Sequence, residues 1–328
     1  MSIIRKNLTP EAIFAAVLLI LLAVLPLVNA PRAWTLYVLF FLIYLAMSNM
    51  WNLIAGYSGL ISLAQPAFIG LAGYTVALST WVNIPWWIGL IGGAAIAALF
   101  AFLMSFAVFR LSGIYFSIGT LVIPEALRIF FNWWRPLDVP LTGGGAGYMI
   151  KNLGALDMSG IYWMAFVIAI ISIVIIRVVL RSDLGLGLAA IRDNERAAAS
   201  CGVNTFRIKM YPFIISAAVT GLAGAVFYIY QGYIEPVSTF NVNWTMAILL
   251  ATVIGGLRTE AGPIVGSIVF VVLYFLLARY AGYSLLIQGI ILIVIMLLSP
   301  QGLVGLAQKT SWYRKFTSFL ARPVFNKK

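Results

Sequence analysis

The chain has 328 residues, 63% of them hydrophobic and only 9% charged, with a mean hydropathy of +1.03 and a net charge of +12. Soluble domains carry roughly 25% charge, so the composition excludes a water-soluble globular protein. With no histidine and one cysteine, Cys201, the chain also lacks the means for haem ligation by histidine, zinc-peptidase motifs, the familiar copper sites, Ser-His-Asp or Cys-His nucleophiles and a disulfide framework.

A helix that crosses a hydrocarbon core of about 30 Å needs about 20 apolar residues. On that measure the sequence predicts an all-α, polytopic transmembrane bundle of about ten spans, at 11–28, 34–54, 60–80, 86–109, 113–134, 161–180, 211–232, 244–256, 261–280 and 283–298. The third, eighth and tenth are short or interrupted by Gly and Pro. Arg5, Lys6 and Val28-Asn29-Ala30 imitate a cleavable leader. Pro31, directly after the would-be cut, argues for reading 11–28 as the first span. With both termini in the cytosol, inside segments hold sixteen Lys and Arg, outside segments four, and Arg128 lies within a span. This positive-inside bias accounts for the net charge without a nucleic-acid partner.

The expected organisation is one membrane domain over 1–308, with an outer loop at 135–160, an inner loop at 181–210 and a basic tail at 309–328. Taken in chain order, Asn49, Asn52, Ser62, Gln65, Ser117 and Thr120 supply sparse neutral polarity around the broken third span. These groups suit either a path for a zwitterion or plain hydrogen bonding between helices. Pro66 and Pro124 fall inside predicted spans, where each removes a backbone donor and kinks the helix. Gly89/Gly93 and Gly262/Gly266 are GxxxG pairs that let helices approach closely, and GLAG occurs at 70–73 and 221–224. Glu125 and Arg128 share a face of the fifth span; each alone at mid-bilayer would cost roughly 2.5–3.5 kcal/mol, so they are expected to pair. The pair reads either as structural, near the outer rim, or as a polar contact beside a path. The outer loop carries LTGGGAGY (Leu141–Tyr148), which fits a tight backbone turn.

The inner loop is the most informative stretch: eight of the 30 charged residues lie between Arg181 and Met210. A helix over Leu188–Ser200 would project Arg192 and Arg196 together, with Asp193 and Glu195 within i,i+3 reach. Ala190 and Ala199 are among the alanines that keep it slim. Gly202 is placed to end this helix, and Asn204 or Thr205 to cap the next. A thin helix with a balanced ionic crest suits insertion into another protein's groove. It equally fits a solvated loop helix whose ion pairs are worth little. GGLRTEAGP (Gly255–Pro263) lacks the lysine of a phosphate-binding P-loop and reads as an inter-helix turn. In the tail, Trp312, Tyr313 and Phe316 suit an inner-surface segment or a disordered one.

Four stretches carry a resemblance: GYSGLISLAQPAFIGLAGYTVAL (Gly56–Leu78), RLSGIYFSIGTLVIPEALR leading to LTGGGAG (Arg110–Gly147), LGLGLAAIRDNERAAASCGVNTFRIKMYPFIISAAVTGLAGA (Leu184–Ala225) and ATVIGGLRTEAGPIVGS (Ala251–Ser267). Together and in this order they resemble LivM-type permeases, the membrane subunits of ABC importers for branched-chain amino acids. The chain departs from that pattern at Ala64, Pro66 and Pro124. The resemblance implies an ATPase-coupling helix at Ala190–Ala199, contacting through Arg192, Asp193, Glu195 and Arg196. Asn52, Ser62, Gln65, Ser117, Thr120 and Glu125 become candidates for the translocation path. It further implies two cytosolic ATPase subunits, a second permease (a paralogue), an extracytoplasmic solute-binding protein and a place in the cytoplasmic membrane of a prokaryote. No cofactor, metal or catalytic residue is expected. The alternatives are a permease for urea, short amides or another small solute of the same superfamily, and a stand-alone secondary transporter.

Overall fold

The structure, a computed structural model, describes residue 26 and residues 31–137, 142–151, 153, 156–278, 283–298 and 302–309. Apart from Pro26, the predicted first span lies outside the described residues, as do the tail beyond Lys309, both termini and Leu141. Helix α1 (Arg32–Trp51) continues as a π-helix over Asn52–Tyr57. Then follow α2 (Gln65–Trp81), α3 (Trp86–Val108), α4 (Ile114–Trp133), a 3-10 turn (Gly144–Ala146), strand β1 (Tyr148–Met149) and α5 (Met158–Leu180). Beyond these lie α6 (Asp183–Ser200), α7 (Thr205–Gln231), strand β2 (Tyr233–Ile234), α8 (Pro236–Thr239), α9 (Asn243–Gly255), α10 (Gly262–Leu277), α11 (Ser284–Leu298) and α12 (Gly302–Lys309).

Among the described residues, six helical stretches are long and apolar enough to cross a membrane: Arg32–Tyr57, Trp86–Val108, Ile114–Trp133, Met158–Leu180, Thr205–Gln231 and Pro236–Gly255. Gly262–Leu277 is a shorter apolar helix. The protein is thus a multi-pass helical membrane protein. The expected third span, 60–80, is not one helix: residues 60–64 are unwound, and α2 is 17 residues long. Pro66 causes this without the expected kink. It occupies the first turn of α2, where its missing N–H costs nothing, and its ring would clash with the carbonyl of residue 62 were the helix to extend backwards. The expected eighth span, 244–256, forms as α9, and the short α8 precedes it across a break at residues 240–242, so that the two together make up the stretch Pro236–Gly255.

Contacts divide the chain into two compact units. In the unit Leu39–Leu249, α2 packs against α3 and α7 at the centre. Small residues set the spacing: a Cβ on Gly93 of α3 would lie 2.8 Å from the Ala72 carbonyl oxygen, and one on Gly224 of α7 2.9 Å from Ile69 Cα. The two GLAG segments therefore serve one α2–α7 crossing, with Gly73 likewise meeting Tyr228. Ala97, Phe68, Phe213 and Ala217 are fully buried between these helices. By contrast, α4 buries only a narrow stripe, Phe116, Thr120, Pro124 and Phe131. Ile118, Val122, Ile129 and Trp133 of α4 stay exposed, which is tolerable in lipid but not in water.

The glycine-rich loop after α4 adds an element the periodicity did not predict. Strands β1 and β2 pair antiparallel, Tyr148 opposite Ile234 and Met149 opposite Tyr233, so the described residues are helical with one minimal ribbon. Trp81, at the end of α2, donates its indole N–H to the Met149 carbonyl at 2.8 Å and stacks under the Lys151 ammonium. Burial pushes the Tyr148 phenol above its ordinary pKa, keeping it neutral. In the unit Met1–Val38 with Leu250–Lys328, Gly262 and Gly266 of α10 lie against the Gly256 and Ala251 carbonyls. The second GxxxG pair is thus also a close-approach device.

Candidate functional site

The unwound residues 58–64 form a backbone node that gathers several of the sequence-predicted side chains. Ser58 donates from its hydroxyl to the Ile54 carbonyl, 2.6 Å away, closing the π-helix. The chain then turns at Gly59, φ +76°, a left-handed conformation that favours glycine. From α4, Ser117 donates to the Ile61 carbonyl at 2.8 Å, and Thr120 accepts from the Leu63 amide at 3.0 Å. Thr245 of α9 donates to the Leu63 carbonyl at 3.3 Å, and the Trp51 indole donates to the Ser62 carbonyl at 2.9 Å. These bonds supply partners to backbone that a continuous helix would have satisfied itself, as unwound chain inside a membrane requires.

Six residues were expected to line a path. Ser117 and Thr120 bind the node directly, and the Ser62 hydroxyl accepts from the Ala64 amide at 3.4 Å. Asn52 is fully buried in the π-helix. Gln65, first residue of α2, is also fully buried, and neither of its amide atoms has a hydrogen-bond partner. Glu125 forms the expected pair with Arg128, whose Nε donates to Glu125 Oε2 at 2.8 Å while Nη2 donates to Oε1. Asn49 is held by Ser172 of α5 at 2.9 Å, which is the interhelical role.

The helix of the charged loop at 181–210 departs from its expected form. Helix α6 starts at Asp183, and Asn194 breaks it with extended angles (φ −161°, ψ 104°). The Asn194 side chain accepts from the Ala197 amide at 3.0 Å, an N-cap for the second half. Arg192 and Arg196 therefore sit on separate helical segments, and the expected common face does not form. The acidic partners differ too. Arg192 pairs with Asp193 at 2.9 Å, and Glu195 pairs with Lys209 of α7 instead of an arginine. Lys209 is only 5% exposed and lies over the Phe109 ring. Nothing in the pattern of that loop alone revealed this partner, because the contact depends on the turn at Gly202, φ +86°. That turn and the Asn204 cap, which accepts from the Arg207 amide, form as expected.

The exposed residues of α6 from Ala190 onward are Ala190, Asp193, Asn194, Arg196, Ala197, Ala199 and Ser200, with Asp183 and Leu186 exposed in its first turns. The opposite face, Leu188 and Ile191, is buried, and Gly187 fits against Ile208 of α7. Arg192 bridges to the node: a Cβ placed on Gly59 would lie 3.2 Å from Arg192 Cγ. The exposed loop helix and the break between α1 and α2 are thus in direct contact. Among the described residues no group of His, Cys, Asp and Glu could hold a metal ion.

Comparison with known proteins fits this geometry. The family described as the permease component of branched-chain amino acid transport systems matches residues 33–299. The chain is 30% identical to the LivM permease protein of the high-affinity branched-chain amino acid transport system of Escherichia coli K12, over 81% of this chain and 69% of that one. It is 23% identical to a probable LivM permease protein of Methanocaldococcus jannaschii, over 58% and 59% of the two chains. Against the LivH permease protein of Salmonella typhimurium it is 26% identical, over 45% and 47%. No solved structure matches the chain. A family match across more than four fifths of the residues, together with a LivM relative aligned over most of both chains, shows that the chain belongs to the LivM-type permeases of branched-chain amino acid transport systems.

Proposed function

We propose that the chain is the permease subunit of an ATP-binding cassette importer in the cytoplasmic membrane of a prokaryote. In this reading it carries branched-chain or other apolar amino acids by alternating access and has no ATPase site of its own. The observation that carries the reading is the contact between α6 and the node, because a transport subunit driven from outside needs an exposed handle mechanically joined to its path. The handle is the coupling helix, and a cytosolic ATPase subunit would grip Ala190, Asp193, Arg196 and Ala199. The second ATPase would grip a second permease. The similarity to both a LivM and a LivH protein supports a paralogue in that place. An extracytoplasmic binding protein would deliver the solute. Transport then consists of two arrangements of the node, differentially stabilised by the nucleotide state of the partners.

Asn52, Ser62, Gln65, Ser117, Thr120 and Glu125 are proposed to face the moving solute in one of those arrangements. Gln65 gives the clearest separation of roles. An unsatisfied buried polar group costs about 1–3 kcal/mol, so Gln65→Leu is expected to hold or raise the melting temperature. Uptake should nevertheless fall, because the solute loses an amide. A drop in stability with unchanged uptake per folded protein would assign Gln65 to packing.

The whole reading is tested by reconstitution with the ATPases, second permease and binding protein. Uptake of labelled leucine should require ATP and every component; uptake by this chain alone under an ion gradient would replace it with a secondary transporter. The topology is tested at Cys201, which is exposed. A membrane-impermeant maleimide should label it in inside-out vesicles and not in intact cells, and labelling in intact cells would invert the handle.

A further inference from the structure

Outside the node, α4 carries a fork of opposite charges that the coupling argument does not use. Arg128 is 34% exposed and Glu125 53% exposed, on a helix whose neighbouring exposed side chains, Leu121, Val122, Ile129 and Phe130, are apolar. A charge facing lipid inside a span is expensive, so the exposed part of this pair is better placed toward a cleft than toward hydrocarbon. The fork opens on a cleft of about 390 Å³, lined by Leu63, Leu121, Val237, Phe240 and Val242. That volume is at the small end of the range for small-molecule pockets. The walls come from the unwound node, from α4, and from the break between α8 and α9, so two interrupted helices meet one charged helix here. Asn241 adds an amide to the lining; its side-chain oxygen accepts from the Asn243 amide at 2.9 Å, which leaves the NH2 as a donor.

We infer that this cleft is a binding site for a zwitterionic, aliphatic α-amino acid, with Arg128 receiving the carboxylate, Glu125 the ammonium, and the apolar wall the side chain. The site rests on the importer reading for its place in a transport cycle and goes beyond it in assigning residues to each part of the solute. Charge geometry selects the zwitterion. An anion without an amine would enter beside the Glu125 carboxylate, and a cation without a carboxylate beside the Arg128 guanidinium. Only a ligand that carries both charges a few ångströms apart meets both favourably. The fork keeps capacity for this, since an arginine has five donors and a carboxylate about four acceptor sites, of which the mutual pair uses two each.

The experiment is equilibrium binding of tritiated L-leucine to the full chain in lipid nanodiscs. Competitors are L-leucinamide, which lacks the carboxylate, and 4-methylpentanoate, which lacks the amine. A charge-assisted contact predicts that each competitor binds the wild type about 10- to 100-fold more weakly than leucine. Arg128→Gln should erase the penalty against leucinamide only, and Glu125→Gln the penalty against 4-methylpentanoate only. A merely structural pair would not split the two analogues. Leu121→Trp leaves both charges in place, so it tests the wall separately: it should weaken leucine more than alanine. Absent leucine binding, or discrimination unchanged by both charge variants, overturns the site. ATP-driven uptake in the reconstituted system is read in parallel. Normal uptake with no fork-dependent discrimination defeats the site alone. Fork-dependent binding without ATP-driven uptake supports the site and defeats the importer reading.

Discussion

Gly59→Ala is expected to remove most ATP-driven uptake, while Gly232→Ala leaves uptake close to wild type. The two glycines have similar dihedrals, φ +76° and +71°, so the backbone cost of a Cβ, about 1–2 kcal/mol for a left-handed residue, is common to both. They differ in surroundings. A Cβ at Gly232 meets nothing within 4 Å, whereas at Gly59 it would lie 3.2 Å from Arg192 Cγ, tighter than an ordinary contact, so the arginine must give way. Thermal melts of the two variants should fall together, and uptake should separate them. Gly59→Ala combined with Arg192→Ala should recover part of the lost uptake, because the shortened side chain clears the contact. Residues in contact give coupling energies of about 0.5–3 kcal/mol in such cycles. Equal uptake losses at Gly59 and Gly232 would reduce the Gly59–Arg192 contact to packing without transmission.

The six long apolar stretches and the break before α2 were legible because each rests on a local signal strong enough to survive tertiary context. Runs of about 20 apolar residues leave a helix no alternative in lipid, and Pro66 marks the start of α2 through its ring. The node itself was legible only as scattered polarity. Ser117 and Thr120 reach residues 61 and 63 across more than 50 positions, and no pattern within either segment encodes that pairing. At Asn194 the sequence misleads for a physical reason. The alanines and long polar residues around it favour a continuous helix, while one side chain offers a competing cap. An asparagine three residues before an alanine amide is a legitimate N-cap signal, but propensity summed over the window outweighs it. The β1–β2 ribbon is two residues per strand, below the length at which alternation can be read.

Asp193→Ala with Arg196→Ala is expected to uncouple the machine: ATP hydrolysis by the assembled complex persists while solute uptake falls by about tenfold or more, the loss typical of interface residues worth about 2 kcal/mol. The break at Asn194 selects these two. Asp193 is 70% exposed, so its pair with Arg192 contributes at most about 1 kcal/mol to folding, and Arg196 is exposed on the second half of α6. Neither loss should disturb the melt. The obvious alternative target, Glu195, belongs to a different category of consequence. Its carboxylate is the counter-charge of the buried Lys209, and removing one partner of a buried pair costs about 3–5 kcal/mol. Because Glu195 itself is 41% exposed, water reaches the pair and the loss should lie at or below the lower end. Glu195→Gln is therefore expected to loosen the α6–α7 joint, lowering stability and uptake together. Lys209→Met should spare stability, since a buried aliphatic chain of similar length needs no counter-charge. The two classes are told apart by hydrolysis measured beside uptake: uncoupling leaves the first intact, and a loosened joint lowers both. If the Asp193/Arg196 variant transports normally, the exposed crest of α6 is not the surface through which ATP-driven motion enters the permease.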